Sequence, residues 1–367
     1  MRVWRLESDS VRLGVTEVGG QLDDVRFLTA RGTFAPLHTA PWAGEPLSDD
    51  IPPMLRLLRG DFFCAPFGDS DRLPDEPRPH GATANGVWRR VRGAATDLVL
   101  ELSGRVHGAR VRKRVVLRPG HPVVYQEHQF VGGDGRLPIG HHAMVHADEP
   151  LLLGFSRWVW GGTPPTALEP DPQRGRSLLS YPQTFDDLGC VRLVDGGTAD
   201  LRRFPALERH EDLLMLIADD TLPFAWSAAT APRQGWVWFA LRSPRVLRST
   251  ILWMSHGGRY YAPWLGRHCG CLGIEEVTSF FHLGHRASTE ENFLSRAGYL
   301  TAVTLAPVTP LVVRYVFGLT PVEPGFGCVT AIEPGDGEIE LRDDAGHRAT
   351  APVEWSWVIA PAADGRG

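Results

Sequence analysis

The chain has 367 residues, 43% hydrophobic and 22% charged, an ordinary balance for a globular protein able to bury a substantial core. A formal net charge of -5 argues against a nucleic-acid partner, whose footprint needs a basic excess, and no run approaches the roughly 18 apolar residues of a membrane span. The opening Met1-Arg2-Val3-Trp4-Arg5-Leu6-Glu7 leads into no apolar signal region, and five cysteines in so large a chain argue against a disulfide framework; both point to a cytoplasmic setting.

The periodicity is that of strands. Val11–Thr16 alternates apolar and polar, as does Val111–Val115 less cleanly, and Val123–Phe130 is β-rich and half polar. Gly235–Leu241, Leu311–Phe317 and Trp355–Ile359 read as buried strands. Forty glycines and 30 prolines supply the many turns such a chain needs. Helix signals are few; the best is Ser288–Leu294, where Ser288 and Glu291 have the spacing of a capping box. Many strands with scarce helices predict an all-β protein, a large antiparallel β-sandwich. No stretch reads as a linker, so residues 1–360 are expected to form a single β-sandwich domain, with a frayed tail over 361–367. Basic residues are arginines except Lys113, a pattern that fits codon usage better than a phosphate-binding surface.

Several segments carry side chains suited to chemistry. Arg59-Gly60-Asp61-Phe62-Phe63-Cys64-Ala65-Pro66-Phe67-Gly68 enters a turn, crosses a polar loop and lands on Pro79-His80-Gly81. Gly81 permits close approach of a ligand to the backbone beside His80. His141, His142 and His146 follow the turn Leu137-Pro138-Ile139-Gly140; along a strand His142 and His146 share a face that His141 does not. An imidazole titrates near neutral pH and suits acid/base work. Glu275 and Glu276 interrupt an apolar run and point to opposite faces of a strand, so one of the two faces any given groove. Glu127, among polar neighbours, reads as an ordinary solvated strand residue. Phe67, Trp88, Trp253, Tyr260, Tyr261 and Trp264 lie in or near these loops; Tyr261 and Trp264 are the best candidates for a sugar-binding face, the rest for core. His268, Cys269 and Cys271 form a weak zinc signal, a C-x-C without a second pair, and buried free thiols are the favoured reading.

At these residues the chain resembles the aldose 1-epimerase, or galactose mutarotase-like, superfamily, with some likeness to its hexose-6-phosphate epimerase branch. Val11–Val15 with Gly19-Gly20-Gln21-Leu22, Cys64–Gly68 with Pro79-His80-Gly81 and Trp88, Leu137–His142, and Cys271–Glu275 carry the likeness in the order the family has them. The resemblance implies a sugar held across one face of the sandwich and a mechanism without metal or other cofactor. Glu275 would act as general base on the anomeric hydroxyl and His142 as general acid on the ring oxygen. The ring opens, the C1–C2 bond rotates, and closure from the other face reverses the two roles. His80 would hydrogen-bond the ring or leaving oxygen, Arg59 a sugar hydroxyl, and Phe67, Tyr261 and Trp264 would complete the sugar site. The chain departs from the pattern at Ala143-Met144, where the family has an aromatic pair. It also lacks the arginine that follows histidine-glycine in the phosphate-sugar branch, where Ala82–Gly86 stands. Two rivals stay open: a non-catalytic carbohydrate-binding protein of the same fold, and a metal enzyme built on His141, His142 and His146.

Overall fold

The computed structural model describes residues 2–71 and 78–360; the expected frayed tail, 361–367, and much of the loop ahead of His80 lie outside the described residues. Short β-branched and aromatic segments, cut by Gly and Pro turns, form strands that pair antiparallel, and two large sheets dominate. The first has eight strands. Thr184–Phe185, Trp158–Gly162, His210–Ala218, Ser249–His256, Cys271–Thr278, Ile139–His141 and Phe63–Cys64 lie side by side, and Ala143–Val145 also pairs with Cys271–Thr278. The second has nine, running from Arg203–Phe204 through Ala225–Ala231, Trp236–Arg242, Leu311–Pro321 and Val123–Val131 to Trp88–Gly93. This is the all-β sandwich that the alternation predicts.

The main core fills the space between the two sheets. Leu214, Leu216, Leu252, Leu272 and Ile274 come from the eight-stranded sheet; Ala229, Trp238, Ala240 and Phe317 come from the nine-stranded one. A four-stranded N-terminal sheet, Val3 to Phe34, adds Val11, Leu13, Val15 and Phe27 to the same core. A C-terminal three-stranded sheet, Val329 to Pro352, packs Ile332, Ile339 and Leu341 on the far face of the nine-stranded sheet, against Val237, Phe239 and Val316. The outer face of the eight-stranded sheet has its own cluster, including Phe67, Met144, Trp253, Trp264 and Val277, and this is where the site forms.

Two local expectations are corrected. Trp355–Val358 is a turn of 3-10 helix rather than a strand: Trp355 Nε1 donates to Gly335 O at 2.8 Å, and the Trp357 ring stands edge-on to Tyr125. The capping box is formed by Asn292 and Ser295, not Ser288 and Glu291. Ser288 is buried inside the helix Gly284–Thr289, with its hydroxyl donating to Gly284 O and accepting from Phe280 N. The five cysteines are free thiols. Lys113 is buried, its Nζ donating to Gly20 O at 2.9 Å, and burial lowers its pKa to about 8. Among the described residues no helix is long and apolar enough to cross a membrane.

Candidate functional site

The strand Cys271–Thr278 is buried along its whole length, so its alternation sorts two sets of side chains rather than inside from outside. Leu272, Ile274 and Glu276 point into the sandwich. Glu276 meets Arg242 Nη1 at 2.7 Å and accepts from Ser227 and Thr250 hydroxyls, all within the interior. Gly273 and Glu275 lie on the opposite, outer face. A Cβ on Gly273 would stand 2.8 Å from Glu275 Oε1, so the glycine leaves room for that carboxylate.

His142 reaches the same spot from the neighbouring strands. Its backbone N–H donates to Phe62 O at 2.9 Å and to Asp61 Oδ1 at 3.1 Å, in the break between Ile139–His141 and Ala143–Val145. The ring stacks on Phe62 at 4.6 Å, and its Nε2 lies 3.2 Å from Glu275 Oε1. Asp61 is fully buried, accepts from Gln126 and lies 3.0 Å from His141 Nδ1, which holds His141 in the interior against Tyr315. His146 lies past the strand end, its Nδ1 donating to Gly270 O. The three histidines therefore do not converge, and the metal enzyme built on them has no geometry to support it.

His80 arrives by a strained turn. Its φ is +61°, in the left-handed region that non-glycine residues rarely occupy, and Gly81 follows at +67°. A Cβ on Gly81 would come 2.3 Å from Ala65 O, so only glycine fits there. His80 N–H donates to Gly68 O, and Asp69 N–H donates to His282 O at 2.6 Å, which ties the turn to the segment after the Glu275 strand. The His80 ring then lies 5.3 Å from that of His142 and 5.2 Å from Phe67.

The opposite wall is a polar and aromatic network. Arg259 Nε donates to Glu169 Oε1 at 2.6 Å, and Tyr261 OH donates to the same oxygen at 2.8 Å. Glu211, buried on the His210–Ala218 strand, accepts from Trp253 Nε1 at 2.6 Å and from Ser255 Oγ at 3.0 Å. Arg174 lies over the Tyr261 ring at the mouth. The walls enclose a cleft of about 490 Å³, within the size range of small-molecule sites. His80, His142, His282, Glu169, Trp253, Arg259, Tyr261 and Trp264 all line it.

Burial governs the titrations here. It pushes the Glu275 carboxyl well above its ordinary range and His142 well below, with His80 lowering His142 further. Both shifts favour uncharged forms, which puts the proton between Glu275 Oε1 and His142 Nε2 on the carboxyl. Burial also lowers His80 to about 3 and His282 to about 4. These depressed imidazoles bear on stability. The unfolded chain takes up their protons below its His pKa of about 6.5, whereas the folded chain does so only nearer pH 3 to 4, so stability falls as pH drops through that window. The thermal midpoint is expected to fall between pH 7 and pH 4, and His282→Asn to flatten that slope in calorimetric scans.

Of the seven side chains that the resemblance assigns to the site, His80, His142, Tyr261 and Trp264 line the cleft, as does Trp253, which was expected in the core. Glu275 lies just behind His142, and Phe67 packs under His80 without lining the cleft. Arg59 is elsewhere: its guanidinium pairs with Asp23 at 2.6 Å and donates to Leu57 O, so the expected contact with a sugar hydroxyl has no geometry to support it. Glu169, Glu211, Arg259 and His282 carry no motif and come from four separate segments; the one local hint was the Arg259-Tyr260-Tyr261 run in a Gly- and Pro-containing loop.

No protein-family model and no curated protein matches the chain. Solved structures do. A protein of Escherichia coli K12, provisionally assigned as an aldose 1-epimerase, superposes with a TM-score of 0.58 at 13% identity, over 88% of this chain and 99% of its own. A galactose mutarotase related enzyme of Lactobacillus acidophilus gives 0.54 at 11%, over 88% and 98%. This chain has the galactose mutarotase-like fold. A galactose mutarotase-like protein of Lactobacillus casei agrees, with a TM-score of 0.54 at 13% identity over 87% of this chain and the whole of that one. As a galactose mutarotase-like sandwich the chain is divergent, and its site must be judged on its own residues.

Proposed function

We propose that the cleft binds an aldose or sugar derivative and interconverts its anomers. The observation that carries this reading is the His142–Glu275 pair at 3.2 Å, with His142 lining an aromatic-walled cleft and Glu275 directly behind it. Opening a hemiacetal requires a base at the anomeric hydroxyl and an acid at the ring oxygen in the same event, and a pair sharing one proton supplies both without a net charge. The shared proton first passes from Glu275 to His142 Nε2; Glu275 then takes the hydroxyl proton while His142 protonates the ring oxygen, the C1–O5 bond breaks, the aldehyde rotates about C1–C2, and closure on the other face reverses both transfers. His80, lining the cleft beside His142, would bond the ring or leaving oxygen, and the aromatic walls Trp253, Tyr261 and Trp264 would pack against sugar C–H groups.

One feature favours a second reading, a carbohydrate-binding protein without turnover: Glu275 is only 3% exposed and sits behind His142 rather than in the cleft wall. NMR saturation transfer between anomers, run across a panel of aldoses with the wild-type protein, separates the two. Faster exchange on any sugar supports the epimerase. Sugar-dependent chemical-shift changes with no acceleration on any panel member move the assignment to the binding protein.

A further inference from the structure

We propose that His38, His268 and Cys271 form a binding site for a divalent cation of the zinc class, beside the sugar cleft and separate from its acid/base pair. The ligating atoms of these three side chains lie within 4.8 Å of one another, and among the described residues no other His, Cys, Asp and Glu set converges so closely. Zinc with two imidazoles and a thiolate, at about 2.0 and 2.3 Å, puts ligand atoms about 3.5 Å apart, so the site closes by roughly an ångström of side-chain movement. Three protein ligands leave a fourth position open.

The second observation is that two buried nitrogens there have nothing to bond. His268 is 1% exposed and its Nε2 has no hydrogen-bond partner; His38 Nε2 is likewise buried and unpartnered. Leaving such groups unpaired is costly. The tautomer of His268 follows from its neighbours. Glu211, held by Arg259, Trp253 and Ser255, accepts the Ser255 hydroxyl proton at 3.0 Å. The Ser255 oxygen is 2.7 Å from His268 Nδ1 and must therefore accept from it, which leaves the Nε2 lone pair free. A carboxylate orienting a ligand histidine, here through a serine, is the usual support around protein-bound zinc. Each imidazole binds a cation as the neutral ring. Only the buried Cys271 thiol must lose its proton, which passes to solvent as the thiolate binds.

Three distant segments build the site. His38 lies on a stretch whose backbone bonds Met144 O, His268 precedes the strand, and Cys271 opens it. The Trp253 ring stacks on His268 at 5.6 Å and meets His142 edge-on at 5.3 Å, so the cation would steady one wall of the cleft.

Cobalt(II) added to protein stripped with a chelator tests the assignment on the full chain. One equivalent is expected to bind per chain, with a thiolate-to-cobalt charge-transfer absorption that zinc abolishes. Cys271→Ser should remove the band, while Cys269→Ser, at an exposed thiol, should leave it unchanged. Ser255→Ala, which keeps all three ligands, should weaken binding about 10–100-fold. Circular dichroism without metal shows whether each variant is folded. Folded wild type that gives no band, or a band lost with Cys269→Ser and kept with Cys271→Ser, would overturn the proposal.

Discussion

Replacing Glu275 by Gln is expected to lower turnover by about 10²–10⁴-fold, the usual contribution of one general base, while sugar affinity changes little. The amide keeps the shape and a hydrogen bond to His142 but cannot hold the shared proton, so the loss falls on the chemical step. Anomer exchange by saturation transfer, with affinity from sugar-induced shifts, reads the two effects separately. Equal losses in affinity and turnover would mean that Glu275 shapes the cleft and does not move protons. In wild type, the acid limb of the rate profile is expected well below pH 6.5, where His142 takes a second proton, and the alkaline limb reports loss of the proton on Glu275.

Glu276→Leu is expected to fail for a different reason. Its carboxylate is fully buried between the sheets with Arg242, and removing one member of a buried pair strands the other, at a cost of about 3–5 kcal/mol. Arg242 also donates to Thr250 Oγ1 and Leu247 O, so it cannot swing out to water. The urea midpoint should drop accordingly, and adding Arg242→Met should recover much of the loss, because an apolar pair leaves no unbalanced charge. If Glu276→Leu instead unfolds like wild type but exchanges no anomers, the roles of the two glutamates are reversed.

These two variants also mark what could be read from the sequence. Alternation shows that Glu275 and Glu276 face opposite sides; choosing between them needs Arg242, which lies on a strand of the other sheet. His80, His142, Tyr261 and Trp264 were legible because each sits beside a glycine or proline turn or a strand end. Glu169, Arg259 and His282, which line the cleft, and Glu211, buried behind Trp253, were not, since only the folded sheet and its loops bring them together, and no spacing encodes that. Arg59 misled for a local reason: Gly60, with φ +61° and packed against Leu22 O, places the preceding arginine beside Asp23 of the N-terminal sheet. Trp355–Ile359 has strand composition, yet its indoles pack against the outer-face cluster of the nine-stranded sheet instead of pairing with it.

The buried position of Lys113 gives this sequence an unusual surface chemistry. Every other basic side chain besides histidine is an arginine, so the folded chain offers no lysine amine to acylating dyes, aldehyde cross-linkers or immobilisation resins. Acylation of Lys113 is then a chemical clock for opening of the sandwich, because the amine becomes reachable only when the interior beside Gly20 comes apart.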